Sequence, residues 1–414
     1  MPGEMSTYFR KGFGLKSEVQ GDLAADYDGR IVDLLRSHYY TLVVGDVTIR
    51  LAREFGFCYG VERAVEYAYQ TRRKFPDRRI FLVGEIIHNP HVNGRLREMG
   101  IEILMRAEPT GTFDFSRVEP EDVVILPAFG VTIDDFAALR AIGCILVDTT
   151  CGSVLNVWKR VESYAQGGFT ALIHGKSYHE ETRATASQVR KYPDGHYLIV
   201  RNMDEARVVC DYIEGRLAGG ADALIARFAH AVSPGFDPER HLLRIGVANQ
   251  TTMLARESLA IAEEVGAAIA RARGDDARAS DFRSFDTICS ATQERQDAVR
   301  ELLEPGRDGR AGVDVMVVIG GFNSSNTISL AMLCAERVPT YHIESSAAID
   351  PEARTIHYRP AAIAHHEADA RDWLPKGPVG VGITAGASTP NNKIGDVVVR
   401  VLGTHGLAIE TGHG

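Results

Sequence analysis

Residues 314–335, DVMVVIGGFNSSNTISLAMLCA, contain the unit that repeats along this chain. An apolar run at residues 314–319 is followed by a polar turn, and an amphipathic pattern then covers residues 326–335. A short apolar run before a turn is typical of a buried strand, and apolar residues three and four positions apart are typical of a helix. The stretch therefore predicts a strand, a loop and a helix in succession.

The same unit recurs through most of the chain. Further apolar runs predict strands at residues 79–83, 122–126, 144–147, 169–173, 196–200, 243–247, 340–343 and 379–383. Helical patterns lie between most of them and include residues 61–74, 204–212, 252–270 and 291–303. This alternation predicts an α/β fold with parallel sheets, and the spread of the strands favours several small sheets over one.

Three stretches depart from this pattern. The first 50 residues or so hold one helical pattern at residues 29–39 and an alternating run at residues 41–51, TLVVGDVTIRL, which predicts a strand or hairpin. We interpret them as an N-terminal extension. Residues 215–236 and 271–284 are rich in Gly, Ala, Arg and Asp, and we expect them to be surface insertions.

The composition is that of an ordinary globular protein. The chain has 414 residues, of which 45% are hydrophobic and 24% charged, and 46 basic against 55 acidic residues give a net charge of −9. This balance argues against nucleic acid as the main partner. No run approaches the ~20 apolar residues of a membrane helix, and the start lacks a secretory signal. We expect a cytoplasmic protein with no membrane partner.

The six cysteines fall into two groups. Cys144, Cys210 and Cys334 lie within apolar patterns and are expected to be buried. The others stand at turns before predicted helices, where a thiolate is favoured: Cys58, Cys151 and Cys289. Their wide separation excludes a zinc finger. Either they meet at a metal centre, where three thiolates would fit an iron–sulfur cluster with one open iron, or they are unrelated thiols.

Polar side chains follow several of the predicted strands. His, Ser, Thr and Asn recur where parallel strands end and helices begin, so an anionic, phosphate-bearing ligand is a common explanation. The segments have simpler explanations one by one: Ser325, Asn326 and Thr251 could cap helices, and Glu181 could be a first-turn glutamate. No Walker sequence and no clear GxGxxG is present, which argues against nucleotide binding.

Eight of these segments occur in the order found in one enzyme family. They are FGFCYGVERA (55–64), EIIHNPHVNGRL (85–96), VDTTC (147–151), HGKSYHEE (174–181), NQTT (249–252), DTICSATQERQ (286–296), FNSSNT (322–327) and GITAGAS (382–388). The chain resembles the 4-hydroxy-3-methylbut-2-enyl diphosphate reductases, in particular their plant and cyanobacterial branch. The resemblance implies three small parallel-sheet α/β domains in pseudo-threefold arrangement around a central iron–sulfur site. We expect an extension at residues 1–52 and domains at 53–151, 152–288 and 289–414.

The resemblance also implies the chemistry. Cys58, Cys151 and Cys289 would ligate one 4Fe–4S cluster whose open iron binds the allylic hydroxyl of (E)-4-hydroxy-3-methylbut-2-enyl diphosphate. Two electrons and protons would remove that oxygen as water, giving isopentenyl and dimethylallyl diphosphate, the last step of the methylerythritol phosphate route to isoprenoids. Glu181 would be the acid, with Thr251 beside the hydroxyl. The implied diphosphate-binding residues are His88, His179, Ser324, Ser325, Asn326 and Ser388.

One position departs from the family pattern, and some properties stay open. Many bacterial members have His where this chain has Phe129, so one diphosphate contact is absent or replaced. The electron donor implied is a ferredoxin or flavodoxin, and the extension could cover a domain face or mediate homodimer contacts. Two other functions remain alternatives: an iron–sulfur sensor or binding protein for a phosphorylated ligand, and a cysteine-nucleophile transferase or hydrolase.

Overall fold

The structure, a computed structural model, describes residues 7–107, 111–304, 312–361 and 366–409. The strands in these residues are β1 (Tyr8–Phe9), β2 (Thr41–Val44), β3 (Val47–Leu51), β4 (Ile80–Val83), β5 (Ile101–Leu104), β6 (Arg106–Ala107), β7 (Thr112–Phe113), β8 (Val123–Leu126), β9 (Ile145–Asp148), β10 (Thr170–His174), β11 (Tyr197–Val200), β12 (Ile245–Asn249), β13 (Phe282–Ser284), β14 (Val315–Ile319), β15 (Thr340–Ile343), β16 (Ile349–Asp350), β17 (Thr355–Tyr358), β18 (Ala368–Arg371) and β19 (Val379–Ala385).

The helices in the same ranges are α1 (Lys16–Tyr27), α2 (Arg30–Ser37), α3 (Tyr59–Lys74), α4 (Pro90–Glu98), α5 (Ile133–Ile142), α6 (Gly152–Gln166), α7 (Glu180–Ser187), α8 (Met203–Ile213), α9 (Gly220–Arg227), α10 (Pro238–His241), α11 (Ala255–Arg273), α12 (Asp275–Asp281), α13 (Ser290–Leu303), α14 (Ser325–Ala335) and α15 (Asn391–Gly403). Within the described ranges no helix combines the length and apolarity that crossing a membrane requires.

The first of two compact units contains the described residues of Met1–Arg10, Arg78–Gly84 and Glu102–Cys289. It holds one sheet in the order β1-β9-β8-β4-β5 and a second in the order β11-β10-β12-β13. All pairings in the second sheet are parallel, as are those that join β1, β9, β8 and β4. Every residue of β4, β8, β9, β10 and β12 is buried, which explains why these strands read as continuous apolar runs.

The second unit contains the described residues of Lys11–Asp77, Glu85–Ile101 and Ser290–Gly414. Its main sheet has the order β15-β14-β19-β3-β2, parallel except for the antiparallel edge strand β2. Helices α2 and α15 contribute apolar residues to the core on this sheet. A small antiparallel sheet, β16-β17-β18, completes the unit.

The predicted α/β fold with several parallel sheets is confirmed. All nine predicted strands are present with ends within a few residues of those predicted, and the run at residues 41–51 forms the hairpin β2–β3. The predicted extension is not separate in structure: β3 pairs with β19 in the second unit, and β1 pairs with β9 in the first. The division into domains at 53–151, 152–288 and 289–414 stays a prediction.

The two predicted surface insertions are wrong in part. Helix α9 lies within residues 215–236, yet Leu224 and the following Phe228 are buried in the core beneath α8 and α11. Strand β13 lies within residues 271–284 and adds a parallel strand beside β12. The abundance of Gly, Ala, Arg and Asp concealed these contributions because only a few apolar residues in each stretch face the core.

Candidate active site

In the first unit, polar residues gather beyond the carboxyl ends of the neighbouring strands β10 and β12. Glu181 lies in the first turn of α7 after β10, and Thr251 follows β12. The Thr251 backbone N–H donates to Glu181 Oε1 at 2.6 Å, and its hydroxyl donates to Oε2 at 3.0 Å. The Glu181 side chain is buried, with the residue only 1% exposed. The Glu181 carboxyl group is therefore hydrogen-bonded to the Thr251 hydroxyl and shielded from bulk water.

His179 is held in a defined orientation beside this pair. It is the N-cap of α7, and its Nδ1 accepts a hydrogen bond from the Glu181 backbone N–H at 3.2 Å. Because Nδ1 is an acceptor, the neutral ring carries its proton on Nε2. The ring of Phe129 packs edge-to-face against it, with centroids 5.5 Å apart. Phe129 thus supports His179 by an aromatic contact.

Gln250, which the sequence analysis did not single out, connects the two loops that carry this pair. Its side-chain oxygen accepts hydrogen bonds from the Lys176 N–H at 3.1 Å and from the Thr182 hydroxyl at 3.0 Å. Its amide nitrogen donates to the Thr252 hydroxyl at 2.8 Å. The NQTT motif was the available signal. The Thr residues do not cap α11, whose N-cap is Leu254.

Burial shifts the pKa of two groups at the carboxyl end of β10, one in the strand and one in the loop that follows it. It lowers the pKa of His174 to about 4, so this imidazole is neutral near pH 7. Burial, with a contribution from the positive charge of Arg201, lowers the pKa of Lys176 to about 8. Lys176 therefore still carries most of its positive charge at pH 7 and loses it at a lower pH than an exposed lysine would.

Cys151 and Cys289 both stand in this first unit at the starts of helices. Cys151 is the N-cap of α6, and its N–H donates to the carbonyl of Ala128 at 2.9 Å. Cys289 directly precedes α13, and its N–H donates to the carbonyl of Thr251 at 3.3 Å. The backbone of Cys289 is thus attached to the residue that binds Glu181. Both thiols are half-buried.

In the second unit, the predicted residues follow the neighbouring parallel strands β3, β19 and β14. Cys58 comes after β3 as the N-cap of α3, and its N–H donates to the carbonyl of Ala387 at 3.3 Å. The Ala387 N–H in turn donates to the side-chain oxygen of Asn326 at 2.9 Å. Asn326 therefore fixes the loop after β19, which fixes Cys58. Its amide nitrogen lies 3.5 Å from the hydroxyl of Thr292.

Two other predicted residues meet close by. The Ser388 hydroxyl donates to the backbone carbonyl of His88 at 3.1 Å, and His88 Nδ1 lies 2.9 Å from a carboxylate oxygen of Glu85. A Cβ at Gly321 would approach the His88 carbonyl to 2.7 Å, so glycine is needed there. The loop before α14 can pack against His88 only because that side chain is absent.

The N-cap of α14 is Ser324, not Ser325 or Asn326. The Ser324 hydroxyl accepts from the Thr327 N–H at 3.4 Å, while Ser325 and Asn326 are the first two residues of the helix. All three are buried. Capping thus explains only Ser324, and the other two present polar side chains at a helix N-terminus, where anions bind well.

The donor set fits a thiolate-bound metal cluster. The three remaining cysteines are buried: burial raises the pKa of Cys144 to about 11 and that of Cys210 to about 12, and it raises the pKa of Cys334 as well. They are poor thiolates. Cys58, Cys151 and Cys289 are instead half-buried and stand at helix starts. The division predicted from the sequence is confirmed for burial.

Three features lie at the carboxyl ends of parallel strands: a buried acid paired with a hydroxyl group, thiols at helix starts, and amides at a helix N-terminus. Together they are typical of an α/β enzyme that acts on an anionic substrate. The comparisons with known proteins narrow this class. The chain belongs to the LytB protein family, whose model matches residues 49–402.

Named relatives are similar in sequence to this chain over almost its whole length. A protein of Thermosynechococcus vestitus named 4-hydroxy-3-methylbut-2-enyl diphosphate reductase is 47% identical over 408 residues, 97% of this chain and 96% of that protein. A protein of Gloeobacter violaceus with the same name is 46% identical over 410 residues, 98% of this chain and 94% of that protein. The predicted resemblance to this family is confirmed.

Solved structures agree on the fold. A structure described as (E)-4-hydroxy-3-methyl-but-2-enyl diphosphate reductase, the terminal enzyme of the non-mevalonate pathway, is 26% identical, with a TM-score of 0.50 over 87% of this chain and 99% of that chain. The E-1-hydroxy-2-methyl-but-2-enyl-4-diphosphate reductase of Plasmodium falciparum is 20% identical, with a TM-score of 0.59 over 86% of this chain and 87% of that chain. The latter shows the fold alone.

Proposed function

We propose that this chain catalyses the reductive dehydroxylation of (E)-4-hydroxy-3-methylbut-2-enyl diphosphate, with Glu181 as the acid. The buried Glu181–Thr251 pair carries the proposal, because a sensor or a thiol nucleophile would not need it. The chain is an oxidoreductase of isoprenoid biosynthesis, and its family is one of iron–sulfur enzymes. Its substrate is a small-molecule diphosphate, and the reaction is the final step of the methylerythritol phosphate pathway.

The cofactor of this proposal is one 4Fe–4S cluster held by Cys58, Cys151 and Cys289. Their half-burial at helix starts supports the assignment, as does the deep burial of the other three cysteines. When bound, a cluster with one iron open to substrate supplies electrons and polarises the allylic oxygen. A thiolate set of three is the reason that one iron would stay open.

Proton delivery is the task of Glu181 and Thr251. The reaction breaks the allylic C–O bond, takes up two electrons and two protons, and releases water. The leaving hydroxyl needs a proton, and a threonine hydroxyl is too weak an acid to originate one. Glu181 supplies it in our proposal. For the transfer, the protonated Oε2 donates to the Thr251 hydroxyl oxygen 3.0 Å away, and that hydroxyl turns its own proton from Glu181 to the substrate.

The diphosphate is held mainly by neutral donors in this proposal. His179 would donate from Nε2, because its Nδ1 already accepts the Glu181 N–H. The other binding groups are hydroxyls, an amide and an imidazole near the N-terminus of α14: Ser324, Ser325, Asn326, Ser388 and His88. Helix amides and neutral donors can bind a diphosphate without a cluster of lysines and arginines, which accords with the net charge of −9.

Several finer points belong to the same proposal. The electron donor that the family resemblance implies is a ferredoxin or a flavodoxin. The enzyme acts in the cytoplasm, and a homodimer is its candidate assembly. The division into an extension at residues 1–52 and three domains at 53–151, 152–288 and 289–414 also remains part of this proposal.

The proposal is tested by turnover under anaerobic conditions. The chain is reconstituted with iron and sulfide, and reduced methyl viologen is added with or without the allylic diphosphate. We expect substrate-dependent oxidation of the dye by a brown protein. A brown protein that leaves the dye reduced would favour the sensor alternative. A colourless protein with a reactive thiol would favour the nucleophile alternative.

A further inference from the structure

A buried arginine on α13 has an unusual set of partners. Arg295 is 3% exposed, and its hydrogen bonds all go to backbone carbonyls. Nη1 donates to Ala291 at 2.9 Å, and Nη2 donates to Gly56 at 2.7 Å and reaches Phe55 at 3.5 Å. Its Nε is buried without a partner, and within the described ranges no carboxylate forms an ion pair with it.

These contacts provide acceptors for Nη1 and Nη2 of Arg295, but they leave its positive charge unbalanced. Backbone carbonyls accept hydrogen bonds, yet they carry no net charge to balance a guanidinium. Burying a charge that has no counter-ion is costly, and arginine does not lose its proton in proteins. The fold therefore tolerates a permanent positive charge at this point, which calls for an anion in its surroundings.

The carbonyls that Arg295 binds belong to the loop that carries Cys58. Gly56 is two residues before Cys58, and its N–H donates to the Ala385 carbonyl at 3.2 Å. Its φ of +66° favours glycine, and a Cβ there would come to 3.0 Å from the Thr389 carbonyl. The loop is thus bound on one side by the last residue of β19 and on the other by Arg295.

We propose that Arg295 is a positioning residue for Cys58 and supplies a positive charge that offsets the negative charge of a thiolate-bound cluster. The inference rests on the proposed function in that Cys58 must be a cluster ligand. It adds a residue that touches neither substrate nor metal and acts through the Gly56 carbonyl. Losing it should loosen the loop and make the cluster harder to reduce.

The test uses two substitutions and a matched control. Arg295→Lys keeps the charge and can still donate to one or two carbonyls, whereas Arg295→Met removes both. Arg354 is the control, because it also donates to two backbone carbonyls in the same unit, those of Thr404 at 2.6 Å and Leu374 at 2.8 Å. Unlike Arg295, it also pairs with a carboxylate, that of Asp372 at 2.9 Å, so its charge is already balanced. Arg354→Met should therefore report the structural cost alone.

Three properties are measured on each variant. They are the melting temperature of the apo chain, the rate at which iron leaves the reconstituted protein in excess chelator, and the reduction potential of the cluster. For Arg295→Met we expect iron loss about tenfold faster, the scale of a lost hydrogen bond to a charged donor, and a more negative potential. Arg295→Lys should restore most of the potential. Arg354→Met should lower the melting temperature without changing the other two.

The outcomes separate this inference from the function on which it rests. A parent chain that takes up no cluster refutes the proposed function itself. A parent that loads normally, with Arg295→Met equal to it in iron retention and potential, refutes the role of Arg295. If Arg295→Met does not fold, Arg295→Gln replaces it, because it removes the charge and keeps an amide that can donate to a carbonyl. A potential more negative than that of the parent then supports the charge role, and the potential of the parent contradicts it.

Discussion

Replacing Glu181 with glutamine should abolish turnover and spare the fold. Glu181 accepts two hydrogen bonds from Thr251, one from the backbone N–H at 2.6 Å and one from the hydroxyl at 3.0 Å. A glutamine oxygen can keep the first, and its amide can donate to the hydroxyl, which is also an acceptor. The free energy of unfolding should therefore change by less than about 1 kcal/mol.

The catalytic effect should be far larger. The amide has no proton to give, and general acids contribute about 10²–10⁴-fold to rate. We expect Glu181→Gln to lose turnover by at least that range while retaining cluster absorbance and substrate affinity. Glu181→Ala should lose turnover and also about 1–3 kcal/mol of stability, because it leaves the buried Thr251 N–H without its acceptor.

The assay is steady-state turnover with a strong artificial reductant, so that electron supply does not limit the rate. Glu162→Gln, which removes a carboxylate that pairs with Lys191 at the surface of the same unit, is the control and should turn over normally. Thr251→Ser should retain most activity and Thr251→Val little. A Glu181→Gln enzyme within a few-fold of the parent would refute this reasoning, and the proton would then come from another group.

Three further predictions concern the cluster, the diphosphate and acid stability. Serine at any of the three half-buried cysteines should remove the iron and the visible spectrum, whereas Cys210→Ala should keep both; loss of cluster from a folded Cys210→Ala protein would contradict the assignment. Asn326→Asp keeps the acceptor for the Ala387 N–H but removes the amide donor. Calorimetry should therefore show diphosphate binding about ten- to a hundredfold weaker, with the melting temperature little changed. A lower melting temperature with unchanged affinity would show a purely structural role. Burial lowers the pKa of His174 and of His342 to about 4, below the ordinary 6.5. The unfolded chain therefore binds more protons than the folded chain, and each histidine should cost about 3 kcal/mol of stability as the pH falls from 6.5 toward 4. Urea unfolding at pH 7 and at pH 5 measures this loss, and His174→Asn and His342→Gln should each make the free energy of unfolding depend less on pH.

The sequence was sufficient for the strands because burial on both faces leaves a plain signal. Runs such as those of β8 and β14 are apolar throughout, and both were predicted within a residue. The antiparallel strands β17 and β18 were not predicted. Ile356 is the one fully buried residue of these two strands. A strand that is mostly exposed to water shows no run or alternation of apolar residues that would distinguish its sequence from that of a loop.

The site was predictable in its residue types but not in its connections. Strand ends rich in Ser, Thr, Asn and His predicted the position of the proposed ligand site, since the carboxyl ends of parallel strands share an edge. That Asn326 holds Ala387, or that Gln250 joins two loops, depends on sheet order and register, which no local pattern reports. Ser324 rather than Asn326 is the cap for the same reason: capping depends on where the helix begins, to the residue.

Product analysis tests the central claim most directly. The anaerobically reconstituted chain is incubated with (E)-4-hydroxy-3-methylbut-2-enyl diphosphate and a one-electron reductant, and the organic diphosphates are separated and identified by mass. We predict loss of one oxygen from the substrate, with isopentenyl and dimethylallyl diphosphate both formed, and neither formed by the Glu181→Gln protein. A fully loaded, substrate-binding parent that returns the allylic diphosphate unchanged would contradict the account.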